Sequence, residues 1–285
     1  MKQIKAFTIC DAGYIDAGIV AINSFLKFNK NIPLIVFMED GTNCRRLQEA
    51  TEGKNVEIRP QTFPELRGHH GLGANNPYFD LFVNSEALPA YAMRLQALEE
   101  LRNEADIIVN FDLDVIFLNT IEKLANIAER SAIYGVSEKE NRAKWMASLN
   151  TRDIVNKSDY INTGFVIYGA DALASLSMEA YNQFLEKYPN DIYCPEQDFI
   201  NYHLSENIRI IPSNYNLMFT DPHYRETAPV MIHYLGKFKP WSEGSAPAGV
   251  GHYFRRYLAE AEKNAEFLTV DFINKIKKNV DLYIC

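Results

Sequence analysis

Cysteine is scarce in this sequence, and the four present (Cys10, Cys44, Cys194, Cys285) stand too far apart to form a C-x-x-C pair. That spacing argues against a zinc ribbon or a disulfide frame and predicts reduced thiols in a cytoplasmic protein. Basic charge is in deficit, 29 Lys and Arg against 37 Asp and Glu, for a net charge of −8. Non-specific nucleic-acid binding rests on basic surface and counterion release, so no nucleic-acid partner is expected. No uncharged apolar run is long enough to cross a bilayer. The opening MKQIKAFTICD reaches Asp11 too soon to hold a signal peptide's apolar region. A cytoplasmic location is expected.

Several signatures are missing as well. There is no Walker A loop, and Gly71-x-Gly73 lacks a third glycine and follows no expected strand, so a dinucleotide site has no support. No G-x-S-x-G elbow occurs. No Gly-Asp dipeptide occurs either, which argues against the haloacid-dehalogenase phosphatases, where a D-x-D on the first strand is followed by a later G-D-x-x-x-D.

What is present is the composition of an ordinary globular protein, 47% hydrophobic and 23% charged over 285 residues, enough for one large domain or a domain with an appendage. Strands are expected at 4–10, 33–38 and 55–59, with helices between them over 16–29 and 43–52. This alternation predicts an α/β fold with a mostly parallel sheet flanked by helices. A Pro, Gly and His-rich stretch at 60–85 reads as a long binding loop. Then come a helix striped by Leu88, Tyr91, Leu95, Leu98 and Leu101, a central strand over 106–118, and a strand at 160–169. A helix with Leu173, Leu176, Ala180, Tyr181 and Phe184 is expected next, and Pro195 opens another over 195–204. A strand at 230–236 leads into a Gly, Pro and Ser-rich loop at 236–251 and a helical tail.

The central strand poses the chemical question. Its period of two puts Ile107, Val109, Phe111, Leu113, Val115 and Phe117 on one face and Asp112 with Asp114 on the other. Two carboxylates two residues apart on a strand lie ~6.6 Å from each other and repel by ~2.5 kcal/mol at an effective dielectric of ~20. Burial adds a desolvation cost for each. A divalent cation relieves both, and hard oxygen ligands suit Mg²⁺ or Mn²⁺. A solvated strand end neutralised by Arg or Lys is the competing account.

Other residues stand beside this pair. His233 ends a strand just before Gly236, Lys237, Lys239 and Trp241, a sensible place to meet phosphate oxygens. An imidazole added to two carboxylates favours Mn²⁺ over Mg²⁺. YINTG (160–164) supplies an amide, a hydroxyl and a glycine, and EQD (196–198) opens a helix, where acid at the N-terminus already accounts for Glu196. Arg94 lies at the edge of its helix's apolar stripe, an ordinary place for a surface arginine.

Taken in order, CDAGY (10–14), YAMRL (91–95), NFDLDVIFLN (110–119), YINTGFVIY, EQDFIN (196–201), IIPSNYN (210–216) and HYLGKFKPW (233–241) resemble the family 8 glycosyltransferases. That resemblance implies a GT-A fold, with a catalytic domain over 1–250 and a C-terminal helical segment over 251–285, packed on it or at the membrane surface. It implies transfer of a hexose, glucose or galactose, from a UDP-sugar to a glycan or glycolipid acceptor, with retention at the anomeric carbon. Asp112, Asp114 and His233 would hold Mn²⁺, with Mg²⁺ as the second choice. Lys239 and the amides around Gly236 would support the diphosphate. Asp11 would meet the uracil or ribose, Tyr14 would stack on the base, and Leu113 and Trp241 would lie beside the nucleotide. Arg94, Asn162, Gln197 and Asp198 would line the donor sugar, with Gln197 or Asp198 nearest the anomeric carbon as nucleophile or as stabiliser of an oxocarbenium ion. An inactive UDP-sugar-binding protein and a nucleotidyltransferase are the alternatives, although CDAGYIDAG lacks the basic residue expected of the latter. The resemblance also suggests peripheral contact with the inner face of the membrane through the tail, where Phe272, Ile273, Ile276 and Val280 lie among Lys275, Lys277 and Lys278.

Overall fold

The computed structural model describes residues 2–62, 88–138, 159–188, 192, 194–218, 228–236, 239–242 and 250–283. Along the chain, β1 (Ile4–Cys10), α1 (Ile15–Phe28), β2 (Leu34–Glu39), α2 (Arg45–Thr51) and β3 (Val56–Gln61) alternate as the sequence predicts. They are followed by α3 (Leu88–Leu101), β4 (Ile107–Phe111), β5 (Val115–Phe117), α4 (Glu122–Ile127), β6 (Ile133–Ser137) and β7 (Ile161–Gly169). The remainder is α5 (Met178–Lys187), α6 (Pro195–His203), β8 (Ile208–Ile210), β9 (Leu217–Met218), β10 (Met231–His233), α7 (Gly251–Glu262) and α8 (Val270–Leu282). The loop expected at 60–85 lies outside the described residues from 63 onward, as does most of that at 236–251.

The chain divides into two compact units, one of Met1–Ile9, Gln61–Phe111 and Leu124–Pro212, the other of Cys10–Pro60, Asp112–Lys123 and Ser213–Cys285. In the first, strands run in the order β1-β4-β7-β6-β8. β1 is parallel to β4, with Ile4 opposite Ile107, and β6 is parallel to β8. β7 enters antiparallel between β4 and β6. Every residue of β4 and β7 is buried, the mark of central strands covered on both faces. α3 and α6 pack on each other beside them, with Leu95, Leu98 and Leu101 fully buried. β7 ends at Gly169, where a Cβ would stand 2.3 Å from the carbonyl oxygens of Glu129 and Arg130.

In the second unit α1 buries Ile19, Ile22, Phe25 and Leu26, the stripe its spacing predicts. A three-stranded sheet runs β5-β10-β9, with β10 antiparallel to β5 and parallel to β9. α7 and α8 form a hairpin; Thr269 caps α8 by accepting from the Phe272 N–H, and Phe272, Ile276 and Val280 are buried.

Three expectations need correction. The strand expected over 106–118 is two strands, with Asp112, Leu113 and Asp114 in a bend between them. The helix expected through Leu173 and Phe184 is a short 3-10 turn at Ala170–Leu173 and then α5, because Ser177 caps a fresh start by accepting from the Ala180 N–H. The strand at 230–236 stops at His233, and the chain turns at Gly236, whose φ of +60° is the left-handed region that favours glycine.

Candidate active site

The acidic pair is brought together by the bend rather than by a strand face. β5 begins at Val115, whose ladder partner is His233, and the Tyr234 N–H donates to the Asp114 carbonyl at 2.9 Å. Pairing therefore continues one step past the strand ends and fixes Asp114 beside His233. One ligand atom from each of Asp112, Asp114 and His233 lies within 4.8 Å of the others. His233 Nε2 is 3.2 Å from Asp114 Oδ1 and 3.8 Å from Asp112 Oδ2.

The far side of the imidazole decides what these atoms present to one another. Nδ1 lies 3.0 Å from Oδ1 of buried Asn216, so the hydrogen-bond network assigns the proton to Nδ1 and, in the neutral ring, the lone pair to Nε2. This is the arrangement of a metal-ligating histidine whose other nitrogen is held by a neighbour. Nε2 and two carboxylate oxygens then converge, and Asp114 Oδ1 is buried without a hydrogen bond. Such a set of acceptors fits a divalent cation with mixed oxygen and nitrogen preference.

Lys239 forms an ion pair with Asp114 Oδ2, both side chains almost buried, and donates to the Tyr234 carbonyl at 2.8 Å. Burial alone would raise the Asp114 carboxyl, but the Lys239 ammonium beside it opposes burial, and the group is held well below the usual carboxylate range. Leu113, between the acids, is buried. In the same unit Asp11 Oδ1 accepts from the amides of Gly13 at 2.7 Å and Tyr14 at 3.1 Å, so Asp11 shapes its own turn. Tyr14 meets Trp241 edge to face, with ring centroids 6.3 Å apart.

The other expected residues belong to the first unit and form a continuous buried network. Arg94, on α3, is buried rather than on the surface, and donates from Nη1 to Glu196 Oε2 at 2.9 Å and to the Thr163 carbonyl at 3.3 Å. Glu196 is thus the buried partner of Arg94, and the helix dipole alone does not account for it. Gln197 Oε1 accepts from the Thr163 N–H at 3.0 Å, and its Nε2 donates to Glu138 and to the Tyr160 hydroxyl, each at 3.0 Å. Glu138 also accepts from Asn162 Nδ2 at 3.0 Å.

Direction runs one way through this network. Asp198 Oδ1 accepts from the Tyr160 hydroxyl at 2.5 Å, and Oδ2 from the Cys194 N–H at 2.8 Å. Tyr160 therefore has its oxygen left to accept from Gln197, and the Gln197 amide cannot be flipped without opposing the Thr163 N–H. Asp198 is fully buried and its two oxygens are used to cap α6 and orient Tyr160.

Sequence reading missed Tyr160 and Glu138, which hold Gln197, and Asn216, which holds His233. Tyr160 and Asn216 sit in stretches quoted for the resemblance and Glu138 in none, and a residue that orients another leaves no pattern of its own.

An α/β fold whose D-x-D follows a central strand, with a histidine brought beside it on a separate three-stranded sheet, matches the GT-A fold. Solved structures agree on the fold. Galactosyltransferase LgtC, crystallised with donor and acceptor sugar analogs, aligns with a TM-score of 0.69 at 16% identity, over 91% of this chain and 95% of that one. Glycosyltransferase GlyE of Streptococcus pneumoniae TIGR4 aligns with a TM-score of 0.60 at 13% identity, over 97% of this chain and 63% of that one. In sequence, residues 6–245 match the model of glycosyl transferase family 8, and the chain belongs to that family. Lipopolysaccharide glucosyltransferase WaaO of Escherichia coli (strain K12) is 26% identical over 193 residues, 61% of this chain and 56% of that protein. The chain thus spans little more than half of that relative's length. Among the described residues, no helix is long and apolar enough to cross a membrane.

Proposed function

We propose that this chain is a divalent-metal-dependent retaining hexosyltransferase that moves glucose or galactose from a UDP-sugar to a glycan or glycolipid acceptor. The observation that carries the reading is the convergence of Asp112, Asp114 and His233 around a buried, unbonded Asp114 oxygen. Two carboxylates with one imidazole favour Mn²⁺, with Mg²⁺ second. Bound there, the ion would supply Lewis-acid neutralisation of the charge that develops on departing UDP. Family membership and the WaaO likeness support a sugar donor and a glycan acceptor.

The chain's own groups take the following parts. Lys239, held on Asp114, is assigned the donor's phosphate oxygens, and the exposed turn at Gly236 lets a phosphate approach backbone amides. Tyr14 is assigned the uracil and Asp11 the turn that carries it, and Leu113 and Trp241 are assigned to the nucleotide's flank. Arg94, Asn162 and Gln197 are assigned the hexose hydroxyls. Gln197 or Asp198 is assigned to the anomeric carbon; Tyr160 joins the two, donating to Asp198 and accepting from Gln197. Contact with a membrane would rest on charge rather than insertion, because the apolar side chains Phe272, Ile276 and Val280 are buried within the protein.

The test is UDP binding by calorimetry and UDP release from UDP-glucose and UDP-galactose, each with Mn²⁺ and with EDTA. Slow release from one donor, abolished by chelation, is the expected result. UDP that binds equally well with and without metal would defeat the reading.

A further inference from the structure

The segment that carries Lys239 is fastened by a part of the chain beyond the family match, which ends at residue 245. Residues 239–242 form a tight turn, closed by the Ser242 N–H on the Lys239 carbonyl at 3.1 Å, with Pro240 in the second position, where its fixed φ suits a turn. Asn279, buried on α8, gives both hydrogens of its amide to this turn, one to the Pro240 carbonyl and one to the Ser242 carbonyl, each at 2.8 Å. The Trp241 ring, at the third position, packs against Tyr257 of α7 at 5.0 Å and Phe272 of α8 at 5.4 Å between centroids. On the other side of Lys239, the hydroxyl of buried Tyr234 donates to the Tyr253 carbonyl on α7 at 2.8 Å.

We infer that Asn279 is a positioning residue for the donor diphosphate: through the Pro240–Ser242 carbonyls the C-terminal hairpin sets where the Lys239 ammonium stands. The inference rests on the reading that Lys239 meets that diphosphate. A lysine stem has four rotatable bonds, so its head is placed only as well as its backbone is held. Two hydrogen bonds from one amide, both to the turn that follows Lys239, hold that backbone from a single rigid helix. An aliphatic residue at 279 would fill part of the space but leave two carbonyls without donors.

The test is a double-mutant cycle read as affinity for UDP in the presence of Mn²⁺, by calorimetry, on Lys239→Ala, Asn279→Ala and the double variant. Each single change is expected to weaken UDP by about tenfold, ~1.4 kcal/mol, and the double variant to bind no more weakly than Lys239→Ala alone. Wild-type affinity in Asn279→Ala overturns the inference. So do losses that multiply to about a hundredfold, the result of a merely structural role. Lys239→Ala binding UDP like the wild type defeats the reading beneath the inference, and a single variant identifies that outcome. Phe272→Leu, a milder change that keeps Asn279 but removes the ring against Trp241, provides an independent route should Asn279→Ala not fold. It is expected to weaken UDP in the wild-type background and to have no effect once Lys239 is gone; a loss that persists without Lys239 overturns the inference.

Discussion

Asp114 is where several demands meet. Its backbone carbonyl belongs to the β10 pairing, one carboxylate oxygen carries Lys239, and the other faces His233 without a hydrogen bond. Asp114→Asn keeps the shape and removes the charge, so UDP affinity measured with Mn²⁺ is expected to fall to the value measured in EDTA. Unchanged metal dependence would remove Asp114 from the ligand set. The variant is also expected to melt somewhat lower, since it strands a nearly buried lysine. The acids were legible in the sequence because charge inside an apolar run demands a reason. Glu196 was not, because a helix N-terminus supplied an adequate one. Its partner Arg94 lies 102 residues away, and no local pattern joins them.

At the scale of elements, the sequence predicts order well where one period governs one set of neighbours. β1, α1, β2 and β7 fall where the apolar periods put them. The stretch from Ile107 to Phe117 defeats the same logic. Its alternation is unbroken, and Leu113 is buried as the pattern demands, yet β4 pairs with β1 and β7 whereas β5 pairs with β10. A period of two reports which side chains are buried and is silent on a change of partner strand. That change makes the bend, and the bend brings Asp112 and Asp114 to His233. A second element boundary is equally invisible in composition: β7 must end in glycine because the carbonyls of Glu129 and Arg130 occupy the place of a Cβ. Gly169→Ala is expected to lower stability by ~1–3 kcal/mol, as overpacking against backbone does, which chemical denaturation would measure. An unaltered unfolding midpoint would mean that the turn before β6, which carries Glu129 and Arg130, yields freely.

For the whole molecule, the sequence offers a catalytic domain over 1–250 with 251–285 packed on it or at the membrane surface, and how far the first depends on the second is a question for experiment. Ser213–Cys285 groups in one compact unit with Cys10–Pro60 and Asp112–Lys123. The links are specific. Asp16, in the first turn of α1, accepts from the Thr269 amide at 3.0 Å and hydroxyl at 2.9 Å, and Asn23 donates to Asn264 at 2.6 Å. Tyr253, Phe254, Tyr257, Phe272 and Ile276 are buried on the hairpin. At ~1.5–3 kcal/mol for each large apolar side chain removed from water, these five alone rival the ~5–15 kcal/mol that holds a domain together. A chain ended at residue 250 is therefore expected to lose cooperative melting and Mn²⁺-dependent UDP binding together, even though it keeps all three residues proposed to hold the metal and the whole of the family match. A shortened chain that melts sharply near the full-length temperature and still binds UDP would restore the hairpin to the status of an appendage. The sequence concealed this because an amphipathic terminal helix carries the same pattern whether its apolar stripe meets lipid or protein. The pattern acquires meaning only from its partners, and those are distant in sequence or on the neighbouring helix: Phe272 meets Trp241 and Tyr257, and Asn279 the carbonyls of Pro240 and Ser242.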